Sequence, residues 1–284
     1  MKLEEERTEV DRFRLPSEIP EDQWPAPEVF VEEAKECVQA ATEQGLILRV
    51  MGGLAIFLHS QEQRELWEKL GRLGKKVFTD IDYVAYGKHR VKMIKFFEKR
   101  GFLINQKLLY HYGKTRQIYY GQKIPMAEVF FDQMNFNHPI SFKNRLEKDS
   151  PTFPLAELLL QKLQMVRMNE KDVKDAIILL LTHELGEDDV NRINQVRIAE
   201  VLCKDWGFYH TATKNLEKIR LSLDSYEVIG AADRKVIAER VSDLLEYLAD
   251  QPKSLKWKSR AMIGTKVRWY NEVDDWDVID SQVQ

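Results

Sequence analysis

Two aspartates one residue apart, Asp80 and Asp82, stand in the strand-like run Phe78-Thr79-Asp80-Ile81-Asp82-Tyr83-Val84-Ala85-Tyr86. Side chains two apart on a strand share a face, so both carboxylates stand together while Ile81 and Tyr83 point the other way. Adjacent carboxylates repel, and on a mostly apolar strand they call for a cation. Mg²⁺ (or Mn²⁺) suits them, because it binds one or two carboxylates and fills its shell with substrate phosphates and water. Upstream, Leu46-Ile47-Leu48-Arg49-Val50-Met51 ends in Gly52-Gly53. A glycine turn opening a helix brings backbone N–H groups close to a phosphate, and the helix N-terminus favours its charge. An ordinary tight turn has the same sequence, but with the carboxylates downstream the combination points to a metal–nucleotide site.

Further side chains could complete it. Asp132 ends the apolar run Met126-Ala127-Glu128-Val129-Phe130-Phe131-Asp132, read as an interior strand with Asp132 as its polar tooth. The alternative is a strand-end aspartate capping a turn before Asn135. Lys76, beside Lys75 just ahead of the aspartate strand, is by itself half of an ordinary solvated pair. Lys162 shares a largely apolar helix with Glu157, Leu158, Leu159, Gln161 and Met165, where a lysine reads as snorkelling to solvent. Asp172 and Asp175, three apart, read as a solvated face or as partners of Arg167 and Lys171. The six histidines have no metal-ligand spacing, and His59, His183 and His210 read as structural.

Gly52-Gly53, Asp80-x-Asp82 and the later Asp132 resemble the signature of the polymerase-β-type nucleotidyltransferases. Glu157-x₄-Lys162, Arg167 and Lys171-Asp172-x₂-Asp175 are similar to a second block of the AbiEii-type branch, the toxin halves of abortive-infection systems and their relatives. The resemblance covers roughly residues 46–185. Lys76 stands where the family carries arginine, and the Lys162–Arg167 spacing is one residue longer than the family block. The resemblance implies a metal-dependent enzyme that moves an NMP from Mg-bound NTP to an acceptor hydroxyl: a tRNA end, a protein or a small molecule. It implies that Asp80, Asp82 and Asp132 hold the metals, with Asp132 also deprotonating the acceptor. Gly52, Gly53, Lys76 and Lys162 would hold the nucleotide, with Asp172 in support. A toxin paired with an antitoxin protein is one biological role. The alternative is a degenerate relative that binds nucleotide or a partner without catalysing transfer.

Composition limits the partners. Net charge is −3, from 43 basic and 46 acidic residues, so any nucleic acid must meet a local patch rather than a global field. The stretch from Lys253 to Trp269 interleaves cations and aromatics as single-strand binders do, and equally fits a terminal amphipathic helix packing its tryptophans inward, which its spacing favours. Acidic residues follow from Glu272 to Asp280. Cys37 and Cys203 are isolated, no apolar run reaches membrane-spanning length, and the N-terminus lacks an apolar leader segment. The expectation is a cytoplasmic protein that does not enter membranes.

These residues need an α+β fold: a small mixed sheet with flanking helices, then an all-helical region. Prolines 16, 20, 25 and 27 mark an arm over residues 1–27, in contact through Phe13, Leu15 and Trp24. An α/β domain is expected over 28–150 and a helical domain with a tail over 151–284. In the first, Val31, Ala34, Val38 and Ala41 fall at helical spacing, strands are expected at 46–51, near 80, and at 102–107, 115–120 and 126–134, and helices at 54–60 and 88–99. In the second, helices are expected at 155–168, 170–185, 189–204, 212–224 and 232–249, with Gly186, Gly207 and Gly230 as punctuation.

Overall fold

The computed structural model describes residues 16–72 and 77–273. It is a mixed α+β structure. Helix α1 (Pro27–Glu43) starts on a proline, whose missing N–H costs nothing in a first turn, and buries Phe30, Ala34, Cys37, Val38 and Ala41 along one stripe. Then come β1 (Leu48–Val50), α2 (Gly52–His59), α3 (Arg64–Lys69) and β2 (Ile81–Ala85). The chain continues through α4 (Arg90–Lys99), β3 (Leu103–Ile104), α5 (Gln106–Tyr112), β4 (Arg116–Tyr120) and β5 (Met126–Phe131).

The five strands lie in the order β1-β2-β5-β4-β3. Only the central pair, β2 and β5, is parallel, with Asp82 opposite Glu128 and Ala85 opposite Phe131. Alternation gives the two faces different work. Tyr83 and Tyr119 face α4, where Phe97 stacks on Tyr119 at 4.2 Å. Asp82, Glu128 and Arg116 share the other face, because Arg116 lies two residues from Ile118, the register partner of Glu128. Helix α5, capped by Asn105, covers the outer part of that face with Leu108 against Ile118 and Tyr120.

The remaining elements are β6 (Gln133–Asn135), β7 (Pro139–Ser141), α6 (Leu155–Leu163), α7 (Glu170–Thr182), β8 (Leu185–Gly186), β9 (Ile193–Asn194), α8 (Gln195–Leu202), α9 (Trp206–Ser222), α10 (Ala231–Asp250) and α11 (Leu255–Ile263). All nine residues of α6 are buried. The segment before it runs beside β1: Val50 N–H donates to Pro151 O at 2.9 Å and Phe153 N–H to Val50 O at 2.8 Å. One contiguous core therefore runs from Phe30 through the sheet and α6 to Leu248. Among the described residues no helix is long and apolar enough to cross a membrane.

Several elements differ from the sequence reading. The strand expected at 126–134 breaks at Asp132, whose φ of 63° is left-handed and ends β5. Gly207 lies in the first turn of α9 instead of ending a helix. The stretch 102–107 holds only a two-residue strand before α5, where Asn105 accepts from the N–H groups of Lys107 and Leu108 and diverts the chain into a helix. Of the arm's anchors, Trp24 donates through Nε1 to Phe78 O at 3.0 Å, while Phe13 and Leu15 lie outside the described residues.

Candidate active site

Asp80 immediately precedes β2 and Asp82 lies within it, so the pair sits at the strand's N-terminal end. Thr79 donates its hydroxyl to Asp80 Oδ1 at 3.1 Å. Burial raises the Asp80 carboxyl above the ordinary carboxylate range, and the Thr79 hydroxyl, Arg116 and Lys171 only partly offset this. Asp82 is pushed up much further, because burial, Asp80 and Glu128 all act in one direction against Arg116 and Lys162. Glu128 is likewise raised by burial, with Arg116 opposing and Asp80 reinforcing. Three carboxylates thus disfavour one another's charge on one sheet face.

Glu128 is the acid that the sequence reading passed over. It sits in the same apolar strand as Asp132, and a second polar tooth was the signal for it; choosing between the two needed the β2–β5 register. That register sets Glu128 across from Asp82 and puts Asp132 four residues further on, about 13 Å at the rise of a strand. Asp132 is at the other end. Its Oδ1 accepts from the Gly87 N–H at 2.8 Å, and a Cβ on Gly87 would lie 2.2 Å from its Oδ2. The expected third carboxylate is therefore a turn residue tying the end of β5 to the end of β2.

The glycine turn approaches the pair closely. Gly52 has φ +74°, and a Cβ there would lie 2.9 Å from Asp82 Oδ2. Both facts require glycine. Its N–H, however, donates to Gln161 Oε1 at 3.1 Å, so α6 engages one of the donors expected to meet phosphate. Gly53 packs on Arg72 and Asp175, with a Cβ position 2.5 Å from the Arg72 guanidinium.

Beneath the turn lies a charge network. Lys162 Nζ bridges Asp172 at 2.8 Å and Asp175 at 2.9 Å, and Arg72 grips Asp175 through two donors at 2.7 and 3.2 Å. Burial opposes the Lys162 charge, but Asp175 and Asp172 outweigh it and hold the ammonium above its ordinary range. Burial likewise opposes ionisation of Asp175, and Lys162 with Arg72 nevertheless keep its carboxyl below the usual range. Lys162 thus lies near enough to Asp82 to favour its charge while held by two acids of its own. Asp172 reaches the site only through Lys162. Arg72 is a further residue of the site that no local pattern singles out, since its partner is 103 positions away. Lys76 lies outside the described residues. Lys171, exposed at the start of α7, favours the Asp80 charge and is the accessible cation of this group. Glu157 takes no part: its carboxylate binds Arg145 and Arg197 and joins α6 to α8.

Hard oxygen donors that disfavour each other's charge are the donor chemistry of a divalent cation. Among the described residues no group of three or more histidine, cysteine, aspartate or glutamate side chains is arranged to hold a metal ion. Arg116 engages Glu128 at Oε2 through two donors, whereas Asp80 and Asp82 are the carboxylates of the set that could hold an ion without a guanidinium already on them. Two carboxylates suffice for an ion whose other ligands are substrate oxygens and water. Comparison of the chain with protein-family models, curated proteins and solved structures found no match.

Proposed function

We propose that the protein is a divalent-cation-dependent nucleotidyltransferase of the polymerase-β type that transfers an NMP from NTP to an acceptor hydroxyl. The observation carrying this reading is the raised, mutually repelling set Asp80, Asp82 and Glu128 beside a turn whose Gly52 has no room for a Cβ. Such clusters of perturbed carboxylates concentrate at functional sites. Mg²⁺ or Mn²⁺ held by Asp80 and Asp82 would neutralise phosphate charge and acidify the acceptor hydroxyl.

The chain's own residues would do the rest. Lys171 meets the triphosphate as an exposed cation, and the Lys162–Asp175–Arg72 network fixes the Gly53 turn against the aspartates. Glu128, oriented by Arg116 and raised by burial, accepts the acceptor's proton at Oε1. The acceptor oxygen then bonds to the α-phosphorus, the bond to the β-phosphate oxygen breaks, and pyrophosphate leaves.

Two observations favour the second reading, a nucleotide-binding protein without transfer: Arg116 already engages Glu128, and Gln161 occupies the Gly52 N–H. Incubating the protein with each α-labelled NTP, Mg²⁺ and a cell extract tests both. Transfer of label by wild type and not by Asp82→Asn is expected; NTP binding without labelled product from any acceptor would leave the binder.

A further inference from the structure

A cavity of about 380 Å³ opens between the start of α9, α11 and the chain that follows α11. Glycine makes it possible. A Cβ on Gly207 would lie 2.3 Å from the carbonyl oxygen of Trp269, so only glycine lets the 269–271 segment rest on α9. That segment is pinned by Trp269 Nε1 donating to Thr211 Oγ1 at 3.0 Å and by the Asn271 N–H donating to Asn137 O at 3.0 Å.

The lining is aromatic and cationic. Trp257 and Trp269 line it with Tyr270 beside them, while Trp206 is buried with His210 stacked on its ring and Arg260 over it. Trp206 stacks on His210 at 4.9 Å and Trp269 meets the same ring edge-on at 5.2 Å, which holds the two indoles in place. The Trp257 Nε1 donor is buried without an acceptor among the described residues. Four cations, Lys204, Lys256, Arg260 and Arg268, line the cavity against one acid, Asp205, whose Oδ1 accepts from the Phe208 N–H. Arg268 is paired with Glu272 at 2.8 Å beside the lining, so four cations less two acids leave a formal +2 in a chain of net −3, still a local concentration of positive charge. Arg260 lies over the Trp206 ring at 4.8 Å with its donors on the carbonyls of Gly264 and Val267, whereas Lys204 and Lys256 extend into solvent.

We propose that this cavity binds a nucleotide unit, its base against the indoles and its phosphate on the lysine and arginine rim. Indoles offer a stacking surface to any base, and Lys and Arg supply charge-assisted bonds to phosphate. The volume is of the order that encloses a small ligand, room for one base and its phosphate rather than a long strand. The unit comes either as a free mononucleotide or as one nucleotide of a single strand. None of the lining residues belongs to the Asp80–Asp82 site, and the inference does not depend on NMP transfer.

The full chain, in EDTA to silence cation-dependent binding at Asp80 and Asp82, is titrated with short fluorescein-labelled adenosine and uridine oligoribonucleotides, then competed with AMP and UMP. Unlabelled AMP and UMP are also titrated alone, with tryptophan fluorescence as the readout. Binding that weakens with added salt is expected. It should fall by roughly tenfold or more, the scale of a lost base-stacking contact, in Trp257→Ala and in the double variant Lys256→Glu with Arg268→Glu. Both reversed charges are on exposed side chains, so an unchanged melting temperature certifies that variant's fold. Asp80→Asn with Asp82→Asn should bind as wild type does. Binding or displacement by mononucleotide identifies the free-nucleotide source, and binding of the oligonucleotide alone identifies the strand. The proposal is overturned by no binding of any probe, by wild-type affinity in the charge-reversed variant, or by loss of binding in the aspartate variant.

Discussion

Asp82 experiences three influences of one sign: burial, the Asp80 carboxylate and the Glu128 carboxylate each oppose its ionisation. A carboxyl raised on folding holds its proton to higher pH than in the unfolded chain. Metal-free protein should therefore lose stability as pH rises from the ordinary carboxylate range through the raised one. At neutral pH in EDTA, Asp80→Asn with Asp82→Asn should melt no lower than wild type, and in calorimetry it should lose Mg²⁺-dependent NTP binding. Wild-type affinity in that variant would remove the pair from the site. The two remaining acids separate in the same way. Glu128→Gln should retain much of the NTP affinity and lower transfer by about 10²–10⁴-fold, the scale of a lost general base. Asp132→Ala should leave transfer near the wild-type rate and cost about 1–2 kcal/mol of stability, because it loses the bond to the Gly87 N–H and puts alanine in left-handed backbone. A transfer defect in Asp132→Ala as large as in Glu128→Gln would reverse this assignment.

At the scale of elements, the site depends on how α2, α6 and α7 meet. The first turn of α2 is held from α6 by Gln161 and from α7 by Asp175, through Arg72. Gly52→Ala combines a left-handed backbone with a Cβ 2.9 Å from Asp82 Oδ2. A strained backbone of this kind costs of order 1–3 kcal/mol, and the variant should also weaken NTP binding. Lys162→Met leaves Asp175 buried with Arg72 as its remaining cation and Asp172 without its ammonium. Chemical denaturation should register a loss of about 3–5 kcal/mol, the usual consequence of breaking a buried pair from one side. A loss within a few tenths of zero would mean that the network does not hold the turn.

Across the whole molecule, sheet and helices share one core. The Val50–Pro151 and Phe153–Val50 bonds extend the sheet edge into the helical half, and α6 is buried along its entire length. Asn215 on α9 adds a tie, donating to Leu163 O and Met165 O at 2.9 and 2.8 Å. A fragment ending at residue 150 lacks α6 and exposes the apolar surfaces that α6 covers. It should show neither dispersed amide resonances nor a cooperative thermal transition, while the intact chain unfolds in one step. An independently folded fragment would establish two separate cores.

Local chemistry was written in the sequence wherever neighbouring residues decide it. Strand alternation puts Asp80 and Asp82 on one face, Pro154 stands where α6 begins, and apolar spacing outlines α7 and α10, whereas Pro27, which composition assigns to the arm, opens α1. A glycine pair between a strand and a helix was legible for the same reason. What tertiary structure decided are pairings between residues far apart. Periodicity cannot report register, so the selection of Glu128 over Asp132 waited for β2 and β5 to align, and with them the acid that Asp82 meets. Nor can it report an ion pair spanning 103 positions, such as Arg72 with Asp175, or the close approach that requires glycine at 207. Alternation assigns a carboxylate to a face; only the packed sheet determines which carboxylates share it closely enough to feel one another's charge.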